Sequence, residues 1–219
     1  MSSETAARYT PREELANCVT HACGVVLSLF GAITLFFAAR ASSAPHALTS
    51  CAIYALTLVL LYSASTLYHS RAWPDAKALL QTLDHIAIFL LIAGTYTPFT
   101  LIALPGAWGW SLFCIVWTLA LMGSALELGL LKKYRKLAVL MYVGMGWVGV
   151  VAFKPLMAHL QTGGMVLLLA GGAAYTLGVP FYLWRKLPYH HTVWHFFVLA
   201  GSVFHFLAVL LYVLPDRPA

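Results

Sequence analysis

The stretch HHTVWHFFVLAGSVFHF, from His190 to Phe206, sets four histidines in an apolar, aromatic-rich run near the end of the chain. The run Thr192–Leu214 is long enough to cross a bilayer, which takes about 20 mostly apolar residues. An imidazole buried without a partner costs free energy. The stretch therefore predicts a membrane helix whose histidines bind something.

The rest of the chain supports the bilayer as solvent. Of 219 residues, 61% are hydrophobic and only 9% are charged, against about 25% charged in a soluble domain. Mean hydropathy is +0.82. The net charge of +6 does not indicate nucleic acid, because the basic residues fall in short clusters between apolar runs, as membrane loops require. Seven runs can be marked: Cys18–Ala39, Ala47–His69, Leu79–Leu104, Trp108–Leu131, Leu137–Phe153, Gly164–Trp184 and Thr192–Leu214. The expected fold is an all-α integral membrane bundle of seven transmembrane helices. Residues 1–17 read as a polar N-terminal segment, 18–214 as the transmembrane domain and 215–219 as a short tail. The first run has no small-residue cleavage site after it and reads as a retained helix.

Lysine and arginine set the expected orientation. With the N-terminus inside, the cytoplasmic segments hold Arg8, Arg12, Arg71, Lys77, Lys132, Lys133, Arg135, Lys136, Arg185 and Lys186. The outer segments hold Arg40, Lys154 and Arg217. That asymmetry predicts a cytoplasmic N-terminus and an external C-terminus. Trp73, Trp108, Trp110, Trp184 and Tyr189 fall near run ends, where aromatic belts sit. Pro98 and Pro180 are expected to kink their helices, and the small residues of GMGWVG and AGGAA to allow close helix packing or to line a cavity. Cys18, Cys23, Cys51 and Cys114 lie in apolar runs without CxxC spacing and read as core thiols.

This topology brings scattered polar residues to one leaflet. Glu14, Asn17 and His21 start the first helix, His69 ends the second, Asp84 and His85 start the third, and His191 and His195 start the seventh. His191 and His195 are four apart and share one helix face, the way a helix offers two nitrogens to one metal. Ser65 stands four before His69, where its hydroxyl can meet an imidazole or a bound water. Three neutral imidazoles from His69, His191 and His195 would leave one position of a tetrahedral zinc open for water. Asp84 is then the carboxylate that holds that water or accepts its proton.

An H-x3-H pair at a membrane interface is also what an ordinary polar helix end looks like. His190 reads as interfacial, and His21 and His205 as satisfied core residues or supports of the site. His205, ten residues past His195, lies roughly 15 Å further along the helix. His85 points about 100° away from Asp84, so the two are not expected to face one site. His46 and His159 fall in outer loops. Glu127, near the inner end of the fourth helix, is expected to reach the interface.

Four ordered motifs carry a family resemblance: EELANCVTHACG (E-x2-N-x3-H), SASTLYH (S-x3-H), LDHIAIFLLIAGTYTPF and HHTVWHFFVLAGSVFHF (H-x3-H). Together they resemble the hemolysin III proteins, within the wider progestin and adipoQ receptor family that includes the adiponectin receptors. The resemblance spans Glu14 to His205. It implies seven helices with the N-terminus inside and a zinc site near the cytoplasmic face, with His69, His191 and His195 as ligands, Asp84 near the bound water and Ser65 close by. The chain lacks the long N-terminal segment of the adiponectin receptors, which fits a short bacterial member in the inner (plasma) membrane. The resemblance also extends to membrane hydrolases that include alkaline ceramidases. It suggests a zinc-dependent hydrolase of lipid amides or esters, with membrane lipids as partners and substrates. The competing readings are a sensor or receptor with structural zinc, and, more weakly, a pore. No helix carries the repeated polar stripe of a water-filled channel.

Overall fold

The computed structural model describes residues 9–70, 75–104 and 106–214. Arg8, Arg71, Trp73, Arg217 and the 215–219 tail lie outside these residues. Among the described residues there is no strand, and seven helices are long and apolar enough to span a membrane: α1 (Pro11–Ala41), α2 (Ala47–His69), α3 (Lys77–Ala103), α4 (Gly106–Glu127), α5 (Arg135–His159), α6 (Thr162–Leu183) and α7 (His190–Val213). The seven-helix expectation holds.

The largest departures from the boundaries read by apolarity are at the start of α1 and the end of α5. Helix α1 begins at Pro11, ahead of Cys18, because Thr10 caps it. The Thr10 hydroxyl accepts the Glu13 N–H at 3.3 Å, and Glu13 Oε2 accepts the Thr10 N–H at 2.9 Å, a capping box followed by proline at the first helical position. Its first turns are polar, so an apolar window misses them. Helix α5 runs on past Phe153 to His159. It does so through a 3₁₀ stretch, Val148–Ala152, after which Pro155 sits in the first turn of a renewed α segment where its missing N–H is harmless. A short turn, Leu130–Lys133, connects α4 to α5.

Proline acts as expected in α3. After Pro98 the helix widens into a π turn over Phe99–Ala103. Threonines fill the disturbed region: the Thr100 hydroxyl donates to the carbonyls of Tyr96 (3.0 Å) and Thr97 (3.1 Å), and Trp117 Nε1–H donates to Thr97 Oγ1 at 3.1 Å.

Helix α1 packs on α2 and α7, α2 on α3, α3 on α4, and α6 on α7. Small residues set the closest approaches. A Cβ at Gly94 would strike Thr57 across the α2–α3 contact, and one at Gly123 would strike Phe89 across the α3–α4 contact. Helix α5 stands off from its neighbours, and the space it leaves is a cavity of about 200 Å³ bounded mainly by α3, α5, α6 and α7. Gly144 and Gly146 face open space rather than a packed partner, and Gly146 and Gly172 line the cavity. Of the two roles open to these small residues, lining is what GMGWVG supplies at Gly146. Large apolar side chains such as Phe30, Phe37 and Leu140 are exposed around the outside, as a lipid-facing surface requires.

Candidate functional site

The ends of α1, α2 and α3 and the start of α7 meet at one end of the bundle, tied by polar contacts. His69, the last residue of α2, donates its Nδ1–H to Glu14 Oε2 at 2.6 Å. The other oxygen of Glu14 accepts from Lys77 Nζ at 2.9 Å, at the first residue of α3. The backbone N–H of Tyr189 donates to Glu13 Oε1 at 3.0 Å, holding the start of α7 against α1. A carboxylate can only accept, so Nδ1 of His69 carries the proton and Nε2 keeps its lone pair. That Nε2 is buried and meets no partner among the described residues.

His195 is oriented in the same way. Its Nδ1–H donates to the Asn17 carbonyl at 3.2 Å, and the Asn17 side-chain oxygen accepts from Thr192 Oγ1 at 2.6 Å. One turn earlier, His191 brings its ring centroid to 4.6 Å from that of His195 and 5.0 Å from that of His69. One nitrogen from each of His69, His191 and His195 lies within 4.8 Å of the others, and all three residues are buried. A tetrahedral zinc bound at 2.0–2.1 Å spaces its nitrogen ligands about 3.3 Å apart. The residues fit the metal: three imidazoles, two with their tautomers fixed by a partner on Nδ1, and, at His69 Nε2, a buried lone pair that no donor among the described residues meets.

Asp84 and Ser65 stand side by side in the cavity wall with His191 and His195. His69 reaches the cluster from behind that wall. Away from the cluster the wall is apolar, from residues such as Ile88, Ile92, Leu168 and Val198. Tyr9, itself buried, closes the end of the cluster, its ring 5.1 Å from that of His191 and 5.9 Å from that of His69.

Several expectations need correction. His85 does face the same cavity as Asp84; it turns its Nδ1 the other way, to Glu127 at 3.0 Å. Glu127 does not extend its carboxylate into solvent. It is fully buried and also accepts from Arg135 at 2.6 Å, because the short α4–α5 connection lets Arg135 fold back over it. His190 is buried too, with its Nδ1 on the Phe181 carbonyl at 3.1 Å. His21 is buried but not satisfied: neither ring nitrogen has a hydrogen-bond partner among the described residues, and its ring stacks on His195. His205 lies outside the three-histidine cluster, as its spacing predicts, with Nε2 on the Leu168 carbonyl at 3.1 Å. His46 and His159 are exposed at helix ends. Sequence reasoning brought Glu14 to this leaflet without a role. The signal was its motif spacing, one helical turn before Asn17.

Residues 9–206 match the family model described as haemolysin-III related. The chain belongs to the haemolysin-III related family. Hemolysin-3 of Bacillus cereus is 46% identical over 204 residues, 93% of each chain. The Hemolysin-3 homolog of Bacillus subtilis is 43% identical over 204 residues, covering 93% of this chain and 96% of that one. A more distant relative, of the progestin and adipoQ receptor type, is the monocyte to macrophage differentiation factor of Homo sapiens, 28% identical over 94% of this chain and 87% of its own. With seven apolar helices, this haemolysin-III related chain is an integral membrane protein.

Proposed function

We propose that this haemolysin-III related protein is a zinc-dependent hydrolase of lipid amides or esters, working from the cytoplasmic leaflet of a bacterial plasma membrane in membrane lipid homeostasis. The observation that carries the reading is a cluster of three buried imidazoles beside a buried carboxylate, at the end of an apolar cavity. A structural zinc is usually closed by four protein ligands, whereas a catalytic one keeps a position open. Bound by His69, His191 and His195, zinc supplies Lewis acidity and lowers the pKa of its water to about 7.

The protein's own residues do the rest. Glu14 and the Asn17 carbonyl hold His69 and His195 in the ligating tautomer. Asp84 accepts the proton of the attacking water at its carboxylate, with Ser65 beside it to orient that group. The apolar wall holds the acyl chain so that its carbonyl lies at the histidine end.

The test compares wild type, Asp84→Asn and the double variant His191→Ala/His195→Ala in lipid nanodiscs, with bound zinc and fatty-acid release measured on a panel of amide and ester lipids. Wild type should carry about one zinc per chain, and the double variant almost none. Asp84→Asn should keep its zinc while turnover falls roughly 10²- to 10⁴-fold, the usual share of general acid–base catalysis. Full zinc in the double variant rejects the metal site. Equal release by Asp84→Asn and wild type, or none by wild type across the panel, rejects the enzyme.

A further inference from the structure

A hydrolase that cleaves an amide or an alkyl ester needs a proton donor for the leaving group as well as a base for water. Asp84 fills only the second role. Among the titratable residues of the cavity wall, one suited to the first is backed by a carboxylate of its own. His85 follows Asp84 in the chain and lines the same cavity, with its Nδ1 3.0 Å from Glu127 Oε1. Glu127 is fully buried, and Arg135 donates to the same oxygen at 2.6 Å.

As a staple between α3, α4 and α5 this network is poor. Glu127 Oε2 and the Nε and second Nη of Arg135 are buried with no partner among the described residues, which costs stability. Replacing a buried ion network by well-packed apolar residues is often neutral or stabilising. The geometry gives this one a direction: a carboxylate behind the imidazole, and the imidazole's other edge toward the cavity.

We propose that His85 is the general acid of this reaction, with Glu127 as its positioning residue. The proposal rests on the hydrolase reading above. Water's oxygen bonds to the acyl carbon as Asp84 takes one of its protons. The bond from that carbon to nitrogen (or to the alkyl oxygen of an ester) then breaks, its electron pair stays on the leaving atom, and that atom takes the proton from His85 Nε2. Asp84 returns the proton it gained to His85, which restores both. The net reaction is water plus amide giving acid plus amine. At the start Asp84 and Glu127 are negative and His85 and Arg135 positive; after donation Asp84 and His85 are both neutral. The four groups sum to zero before attack and after donation, and in between their single positive charge is matched by the negative charge of the tetrahedral adduct, so no net charge builds up in a medium where charge is expensive.

The test uses the leaving group, because p-nitrophenolate departs without a proton and an amine or alkoxide does not. Wild type, His85→Gln and Glu127→Gln are assayed in nanodiscs on an N-acyl amine, an alkyl ester and a p-nitrophenyl ester of one acyl chain, with zinc per chain measured for each. His85→Gln should lose roughly 10²- to 10⁴-fold on the poor leaving groups while cleaving the p-nitrophenyl ester at a rate of the same order as wild type. Glu127→Gln should lose less, with the same split. If His85→Gln does not fold, the split in Glu127→Gln decides. Equal losses on all substrates make the network merely structural and overturn the proposal, as does undiminished cleavage of the poor leaving groups. Wild type active and His85→Gln equal to it leaves the hydrolase standing without this acid. Wild type inactive on every substrate removes the hydrolase, and this proposal with it.

Discussion

The imidazole of His21 lies flat against that of His195, with ring centroids 3.4 Å apart and planes 12° from parallel. Tyr62 meets the His21 ring edge-on at 5.1 Å. The ring of His195 is thus fixed from two sides, by the Asn17 carbonyl through Nδ1 and by His21 across its face. His21 contributes shape rather than hydrogen bonding.

That distinction makes a prediction. Phenylalanine keeps a flat ring and removes two buried nitrogens that lack protein partners, each costing about 1–3 kcal/mol. His21→Phe should therefore bind zinc as wild type does and melt at the same or a higher temperature. His21→Ala removes the ring, frees His195 to turn and should weaken zinc about tenfold or more. Chelator competition and thermal melts in detergent measure both. Zinc lost from His21→Phe would show that the ring nitrogens matter.

Glu14 makes a second prediction. Its carboxylate fixes the tautomer of His69 and is shared with Lys77. Partners of this kind typically carry 10- to 100-fold of metal affinity. Glu14→Ala should lose that much, and Glu14→Gln, which keeps an acceptor oxygen, should lose less. An unchanged zinc Kd in Glu14→Ala would mean that His69 is held by packing alone.

Two glycines in similar helical settings should respond in opposite ways. A Cβ at Gly94 collides with Thr57, where α3 crosses α2. Gly94→Ala should cost about 1–3 kcal/mol, the usual price of overpacking. A Cβ at Gly144 meets nothing within 4 Å. Gly144→Ala should be neutral or stabilising by up to about 1 kcal/mol, from helix propensity. Unfolding midpoints of the two variants give the comparison. Equal effects would mean that the standing-off of α5 does not persist in the membrane.

The seven helices were legible because their signal is summed over about 20 residues and survives errors at the ends. The meeting of His69, His191 and His195 was legible because topology alone fixes depth, and the spacing of four fixes the face of α7. What was not legible depended on contacts between helices far apart in sequence. Nothing local to Glu127 tells that Arg135 and His85 converge on it. The 100° angle between Asp84 and His85 was sound, but the cavity is wide enough to be walled by both. The start of α1 was not legible from apolarity, although Thr10, Pro11 and Glu13 spell a cap, because its first turns are polar. The gap beside α5 had only a weak sign, in the glycines of GMGWVG.

Orientation gives the last prediction. An odd number of spans puts the two termini on opposite sides. Lys77, Lys132, Lys133 and Arg135 fall at or between helix ends on the side of the bundle where α1 begins, together with Arg12. Short basic connections stay in the cytoplasm. The histidine cluster, at the same end, then lies in the cytoplasmic leaflet. Reporter fusions after Ala219 and within residues 132–136 test this with enzymes that are active on only one side. The Ala219 fusion should report the outside and the 132–136 fusion the inside. Arg135 is engaged by Glu127, so the internal fusion is best placed between Lys132 and Lys133, with Lys133→Cys labelling by an impermeant maleimide as a check that the insertion has not reversed the chain. A cytoplasmic signal from Ala219, or labelling of Lys133→Cys in intact cells, would put the site on the outer face and remove any source of substrate from the inner leaflet.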